Sequence, residues 1–488
     1  MVLTKATWNM VNQPSTSDSS NNTFIGNGSL DSLTSGGANT AVGADSGTAI
    51  TTGSQNTAVG KSALETMETG NNNTAVGFGA LRYANDAASI QNTCIGSLSG
   101  SAITTGDNNT SLGHNSLLSC TTGDINTALG QGALAYNVTG DYNTATGYHA
   151  LLNYTGSNGV AYGVEALTAL TSGTNNTACG YGALKSITTA QSNTALGYLA
   201  GQVTTASQGT FVGDSSGYAT TTGAANTFIG YNAGVANVDG QHNTTIGAQT
   251  LISNVSGDRN VAVGRVTLLN STGDDNTALG TTALNACTTG LANTGLGGSA
   301  LVALTTEDNC TGVGFNTAVT GSNQVQLGDS STTTYAYGAV QNRSDERDKA
   351  DIKDTELGLN FISALRPVDF KWDMRDDYRT NYPEELPEDA TDEEKEAHKI
   401  VVENWIESNK LKNIQKDGSK KRNRYHHGLI AQEVKAAADS IGVDFGGFQD
   451  HSINNGDDVM SIGYEELVPV LIKAVQELKA EIDILKQS

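Results

Sequence analysis

Asn39-Thr40-Ala41-Val42-Gly43 is the stretch of sequence that decides the fold, because it recurs along most of the chain. It returns as Asn56-Thr57-Ala58-Val59-Gly60 and as Asn73-Thr74-Ala75-Val76-Gly77, and related copies follow, usually 17 residues apart. Nineteen copies begin between Asn22 and Gln324. A fixed period of this length predicts stacked structural units rather than a conventional globular domain.

Each copy is interpreted as one coil of a solenoid. In Thr57-Ala58-Val59 the first and third residues would share one face of a strand. The glycine that follows suits a bend where a side chain would clash. Ala63-Leu64 is interpreted as a second short strand, and the residues after it as a turn. The pattern predicts a mainly β fold, a narrow parallel β-solenoid with about 17 residues per coil and a column of asparagines bonded from coil to coil.

The recurring Ala-Leu pair predicts an oligomer. Neighbouring side chains on a strand point to opposite faces, so one residue of each pair would fill the interior and the other would lie outside. A line of outward apolar residues along the whole solenoid is too extensive for a soluble monomer. We therefore expect three copies to pack around an axis as a trimeric rod. The pairs are Ala63-Leu64, Ala80-Leu81, Ala133-Leu134, Ala166-Leu167, Ala183-Leu184, Ala283-Leu284 and Ala300-Leu301.

The composition of the chain changes near Arg343. Residues 1–343 hold 49 of the 57 glycines and 25 charged residues, whereas residues 344–488 hold 8 glycines and 52 charged residues. This change predicts a domain boundary. We expect a short N-terminal attachment segment (1–20), a repeat shaft (21–328), a neck with a cleavage junction (329–343) and an α+β domain (344–488). Within that domain, residues 378–424 form an expected insertion and residues 464–487 an expected C-terminal helix.

Charge and cysteine usage exclude several classes of function. A net charge of −23 argues against binding to nucleic acid backbones. No apolar run is long enough to span a membrane, and the first residues lack the apolar core of a signal peptide. No metal or cofactor is expected. The cysteines are interpreted as small buried thiols, since their spacing suits no metal site; they are Cys94, Cys120, Cys179, Cys287 and Cys310.

Exposed side chains of the repeats offer two further interpretations. Aromatic residues after the repeat glycine would either stack on sugar rings of a receptor or pack plainly on the surface. Most acidic residues of the repeats occur singly in turns, which favours solvated turn residues over a pair of catalytic carboxylates. The aromatic candidates for receptor binding are Phe78, Tyr148, Tyr181, Tyr198, Tyr231 and Phe315.

The beginning of the second domain carries a specific pattern. Ser344, Asp345, Arg347, Lys349 and Ile352 fit S-D-x-R-x-K-x-x-I. This segment resembles the intramolecular chaperone domain of phage tail spikes and fibres, the peptidase S74 family. Three later segments resemble further blocks of that family in the same order, and the repeats resemble the head repeats of trimeric autotransporter adhesins and the shafts of phage tail fibres. The later segments are residues 357–372, 428–434 and 464–488.

The resemblance implies self-cleavage at the peptide bond between Arg343 and Ser344, with no activity on external substrates. It makes Ser344 the nucleophile and Lys349 the general base, and it makes Asp345 and Arg347 orienting or stabilising groups. A serine hydroxyl needs a neighbouring base, and a lysine can serve as one only where desolvation favours its neutral form. Five residues of separation do not place the pair together on a helix. The fold or an adjacent subunit must do so, unless the segment is merely a polar linker.

The resemblance also implies a tail fibre or spike of a phage virion, made in the host cytoplasm. Its expected partners are two further copies of the chain, a glycan or protein receptor on the host surface and another virion tail protein. A bacterial trimeric surface adhesin and a glycan-degrading fibre are the alternatives. Neither nucleic acid binding nor membrane insertion is expected.

In the expected C-terminal helix, apolar residues recur at spacings of three and four residues, and this pattern predicts a coiled-coil seam. Its alternation of Val or Ile with Leu favours a dimer by rule, in conflict with the trimer that the resemblance implies. The seam residues are Val468, Leu471, Val475, Leu478, Ile482 and Leu485. A clamp at this end would align identical coils, which otherwise invite errors of register. Removal of the clamp by hydrolysis would leave the rod kinetically stable.

Overall fold

The computed structural model of the chain describes residues 21–84, 90–329, 331–332, 334, 344, 346–380, 383, 386, 390–454 and 459–487. The predicted attachment segment at 1–20 and most of the predicted neck lie outside these residues. The chain divides into two compact units, Met1–Asn276 and Thr277–Ser488. The predicted fold class is confirmed: the repeats form a parallel β-solenoid with coils of about 17 residues, and a small α+β region with a C-terminal helix follows.

The first unit consists of solenoid coils, each with one strand of three residues. Every strand pairs in parallel with the next, and equivalent residues face each other, as Thr40 faces Thr57 and Val42 faces Val59. The strands are β1 (Thr23–Ile25), β2 (Thr40–Val42), β3 (Thr57–Val59), β4 (Thr74–Val76), β5 (Thr93–Ile95), β6 (Thr110–Leu112), β7 (Thr127–Leu129), β8 (Thr144–Thr146), β9 (Val160–Tyr162), β10 (Thr177–Cys179), β11 (Thr194–Leu196), β12 (Thr210–Val212), β13 (Thr227–Ile229), β14 (Thr244–Ile246) and β15 (Val261–Val263).

The prediction that Ala-Leu forms a second strand with one outward residue is wrong. Ala63 and Leu64 lie in a turn, and both side chains are fully buried. Leu64 has a φ of +51°, which lies in the left-handed region. A left-handed residue breaks the alternation of a strand, so consecutive side chains both point into the coil. The Ala-Leu pair therefore does not contribute the outward apolar stripe that was expected from it.

The middle residue of each strand fills the interior instead, and the first and third residues point outwards. Ala58 is buried, whereas Thr57 and Val59 are only half-buried. This confirms that the first and third residues share one face. The solenoid surface therefore does carry an outward apolar column, but the third strand residue supplies it.

A column of asparagines joins the coils, as predicted. The backbone N–H of Asn56 donates to Oδ1 of Asn39 at 3.0 Å, and Nδ2 of Asn56 donates to the carbonyl of Gly70 at 2.8 Å. The same two bonds recur around Asn109, with Asn92 and Gly123 as the acceptors. Because these side chains are buried, each hydrogen bond satisfies a polar group that would otherwise be costly.

The glycine that ends each strand is required by close stacking. Gly60 has a φ of +129°, and a Cβ on it would lie 2.4 Å from the carbonyl oxygen of Gly77 in the next coil. Both the backbone conformation and the contact exclude a side chain at this position. The predicted bend is therefore confirmed.

Four of the five cysteines are buried thiols, as predicted, and none of the five forms a disulfide. Burial raises the pKa of the Cys94 thiol to about 12 and that of Cys120 to about 11, so both stay protonated and unreactive at neutral pH. Cys179 differs, because it is the third residue of β10 and lies half-exposed on the outward face of the strand.

The second unit combines the last coils with the α+β region. The coils contain β16 (Thr277–Leu279), β17 (Thr294–Leu296), β18 (Thr311–Val313) and β19 (Val325–Leu327). The α+β region contains α1 (Leu359–Ala364), β20 (Val368–Lys371), α2 (Asp392–Ser408), β21 (Tyr425–Gly428), α3 (Ala431–Ser440), β22 (Phe448–Asp450), β23 (Met460–Ile462) and α4 (Leu467–Gln487). Strands β20 and β21 pair antiparallel, as do β22 and β23.

An apolar core joins helices α1, α3 and α4 of the α+β region. Phe361 of α1, Val434 of α3 and Val470 of α4 are buried in it. Glu477 of α4 fixes α1 as well, because its Oε2 accepts from the backbone N–H of Leu359 at 2.7 Å. That contact satisfies an orphan donor at the start of the helix and places a negative charge there, where it is favourable.

Candidate functional site

Ser344 and Lys349 lie within hydrogen-bonding distance in one chain. Nζ of Lys349 donates to Oγ of Ser344 at 2.8 Å. A short 3-10 turn at Glu346–Asp348 brings the lysine back towards the serine, and its backbone closes with the N–H of Lys349 donating to the carbonyl of Glu346 at 3.1 Å. A nucleophile and its base require this proximity. The arrangement therefore needs no second subunit to bring the two groups together.

The pair is accessible to water. Ser344 and Lys349 are both exposed in the single chain, and so are their described neighbours Glu346 and Ala350. Water stabilises the ammonium form of a lysine, whereas a general base has to be neutral. The single chain thus supplies the contact between the two groups without the desolvation that catalysis by a lysine requires.

The remaining residues predicted for this site are only partly described. Arg347 lies in the 3-10 turn between the serine and the lysine, and it is exposed. Arg343, on the other side of the predicted cleavage point, and Asp345 lie outside the described residues. Their predicted roles stay predictions.

The aromatic residues predicted to bind a receptor differ in their surroundings: some stack on a neighbouring ring, some are exposed and one is half-buried. The rings of Tyr181 and Tyr198 stack on each other with centroids 5.4 Å apart, and Tyr148 stacks on His149 at 3.8 Å. One face of each of these three tyrosines is therefore covered by protein, although stacking on a sugar uses an open face. Phe78 and Phe315 are exposed, and Tyr231 is half-buried.

The acidic turn residues form a ladder that sequence reasoning missed. The backbone N–H of Asp107 donates to Asp124 at 2.7 Å, and that of Asp124 donates to Asp141 at 2.8 Å. Desolvation raises the pKa of Asp107, against the hydrogen bond from the N–H of Ile90. The carboxylates thus cap the turn of the preceding coil rather than stand alone in solvent. Their 17-residue spacing was the signal that could have revealed the ladder.

Two basic residues of the expected insertion pair with carboxylates that lie just before it. Lys416 contacts Asp373 at 3.8 Å, and Arg422 contacts Asp377 at 3.3 Å. Helix α2 within the insertion begins with a capping box in which Thr391 and Glu394 bond each other's backbone N–H groups. Each of these two basic side chains is thus paired with a carboxylate, as is typical of the surface of a folded segment.

The predicted coiled-coil seam lies on the outside of α4. Leu467, Val470 and Ala474 bury the opposite side of the helix in the core. The seam residues range in exposure from 40% for Ile482 to 73% for Leu485. An apolar stripe of this kind on a helix is typical of a surface that packs against another helix.

Within the described residues, no group of three or more His, Cys, Asp or Glu side chains is placed to hold a metal ion. Over the same residues, the helices are too short or too polar to cross a membrane.

Comparison with known proteins adds one finding. No curated protein and no solved structure matches the chain. The later sequence blocks, Gly428–Val434 and the C-terminal helix, lie beyond the residues that a family model covers. Residues 344–395, which begin at Ser344 and include Lys349, match the model of the peptidase S74 family, described as the chaperone of endosialidase.

Proposed function

We propose that this chain is a fibre or spike protein whose C-terminal domain drives assembly of three copies and then releases itself by cleavage before Ser344. The contact of 2.8 Å between Lys349 Nζ and Ser344 Oγ carries the proposal, because it places a potential base on the hydroxyl at the expected cleavage point. The family match over residues 344–395 supports the chaperone role.

The proposed reaction uses the serine at its own peptide bond. Oγ of Ser344 bonds to the carbonyl carbon of Arg343 while its proton passes to the neutral amine of Lys349. That proton then moves to the nitrogen of Ser344 as the carbon–nitrogen bond breaks, which leaves an ester. Water hydrolyses the ester, so that residue 343 ends in a carboxylate and Ser344 regains its hydroxyl with a free amino group.

Assembly supplies the switch in this scheme. The exposed pair of one chain lacks the desolvation that a lysine needs to act as a base. A neighbouring chain that covers the site would exclude water and favour the neutral amine. The exposed seam on α4 supports such a neighbour. Cleavage would then follow assembly and remove the route by which the fibre could unfold.

The proposed biological role is attachment of a phage virion to its host. The solenoid supports a long, regular shaft, and a chaperone domain at its end suits a fibre that has to assemble in register. A surface glycan or protein would be the receptor, and another tail protein would anchor the shaft.

The test is the mass of the purified protein, both denatured and native. Wild type should yield two chains, residues 1–343 and 344–488, from a trimer. Ser344→Ala and Lys349→Met should each remain whole and still form trimers. Lys353→Met is the matched control, since Lys353 is another exposed lysine nearby and should leave cleavage intact. A wild-type trimer that stays uncleaved would contradict the proposed self-cleavage.

A further inference from the structure

The outward side chains at the first and third positions of the strands form a surface that we call the strand face. In β1–β15 the first position is Thr or Val, and the third is apolar except for Thr146. The third residue is buried in none of these strands, and it is about half exposed at Leu112 and Leu196. Stacking in register places these side chains in one continuous column.

The strand face carries no charged residue, although the chain is strongly acidic. Among the described residues of 21–276, none of the charged side chains lies at a first or third strand position; they lie outside the strands, as Lys61 and Asp214 do. Depletion of charge with enrichment of apolar groups distinguishes the centre of a protein interface from the remaining surface. A contiguous apolar stripe of this length exceeds what a soluble monomer usually exposes.

We infer that the strand face of one copy packs against the strand face of other copies of this chain. A second copy repeats the same column with the same 17-residue period, so apolar residues meet apolar residues at every coil. Copies with a net charge of −23 repel each other, and an uncharged face is where that repulsion is weakest. A glycan suits the face poorly, because Tyr162 is the single aromatic residue in the column of third positions in β1–β15.

The interface presupposes the assembly proposed above and identifies the surface through which the shaft takes part in it. It takes the place of the stripe that the Ala-Leu pairs were expected to form. The contact is parallel, and each coil of one copy lies at the height of a coil of the next, since columns with the same period match only when coils face coils. A shift by one coil would still match, which gives the C-terminal domain a role in setting the register.

The test compares the reactivity of two cysteines that are equally exposed in one chain. Leu196→Cys lies on the strand face, where Leu196 is 50% exposed, and Val255→Cys lies in a turn, where Val255 is 47% exposed. Both are made with Ser344→Ala, which keeps the chain whole, and with Cys179→Ser. The buried native thiols contribute little, because they are shielded from reagent. Native mass and the rate of labelling by a maleimide are measured on the same samples.

In the assembled protein, Leu196→Cys should react about tenfold more slowly than Val255→Cys, because packing protects it. Equal rates in a trimer would overturn the strand-face interface and leave the proposed function standing. A monomeric native mass would contradict the proposed assembly itself. Circular dichroism equal to that of the parent shows that each variant retains the fold.

Discussion

Nδ1 of His451 lies 2.7 Å from the side-chain nitrogen of Gln324, which joins the α+β region to the last coil of the second unit. The Gln324 amide is oriented by Thr320, whose backbone N–H donates to its Oε1 at 2.9 Å. Nε2 of His451 lies 2.9 Å from Oγ of Ser461. The amide therefore donates to Nδ1, and the imidazole is satisfied in its neutral form with the proton on Nε2.

Acid should weaken this contact between His451 and Gln324. Desolvation lowers the pKa of His451, although the charge of Asp450 opposes the shift. The unfolded chain therefore binds a proton before the folded chain does, and the free energy of unfolding falls as the pH drops below about 6.5, the ordinary value for histidine. The loss is complete once the pH is below the folded-state pKa. Chemical unfolding of the second unit between pH 7.5 and 5 measures the effect.

His451→Asn keeps an acceptor near Gln324 without a titrating group, so it should flatten this part of the pH profile. His398→Gln on α2 is the matched control, a histidine replacement that leaves the contact between His451 and Gln324 intact. If the free energy of unfolding depends on pH equally in wild type and His451→Asn, protonation of His451 does not weaken the contact.

The glycine at the end of a strand should be irreplaceable. Gly60→Ala combines a φ of +129° with a Cβ 2.4 Å from a carbonyl oxygen, so it should destabilise the first unit by about 3 kcal/mol or more. Gly446→Ala is the comparison, because nothing lies within 4 Å of its Cβ and its φ is outside the left-handed region. Thermal unfolding should show a much larger loss for Gly60→Ala. Equal losses would mean that the coils separate easily at the bend.

The inward direction of Leu64 can be tested by truncation. Leu64→Ala removes a fully buried side chain and should cost about 2–5 kcal/mol. Leu196→Ala, at a half-exposed position on the strand face, should cost less than about 1.5 kcal/mol in a chain kept monomeric. Denaturant unfolding at low protein concentration gives both values. A reversed order would restore the interpretation in which the Ala-Leu pair turns one residue outwards.

The seam on α4 should contribute to assembly and little to the fold of a single chain. Val475 is 64% exposed, so Val475→Lys buries no charge in the single chain and should leave helix content unchanged. In an assembly it would place lysines on facing helices and lower the fraction of oligomer in native mass measurements. Glu481→Lys, also on α4 but outside the seam, is the control. An oligomer unaffected by Val475→Lys would remove the seam from the interface.

Much of the fold could be predicted from the sequence because the repeat is local and repeated many times. The period gives the coil length, the glycine marks the bend, and the asparagine column follows from stacking identical residues. These features depend on neighbours one coil away, which are copies of the same segment. The C-terminal helix expected at residues 464–487 was also predicted, and it is present as α4.

The direction of the Ala-Leu side chains could not be predicted, because it depends on a backbone conformation that leucine rarely adopts. Leu64 has a φ of +51°, and the coil holds it there since burial of both side chains outweighs the local cost. The outward apolar residues of the solenoid are therefore the third residues of the strands and not residues of the Ala-Leu pairs. An alternation rule for strands has no means of anticipating a left-handed residue.

The sequence by itself determined a repetitive β-solenoid, a change of composition near residue 343 and the residue types of a Ser-Lys pair. Tertiary structure decided which apolar residues face water, and how a 3-10 turn brings Lys349 to Ser344. It also decided that the pair is exposed in a single chain. The physical reason is that periodicity specifies spacing along the chain, whereas solvation and contact depend on how the backbone turns between the repeated residues.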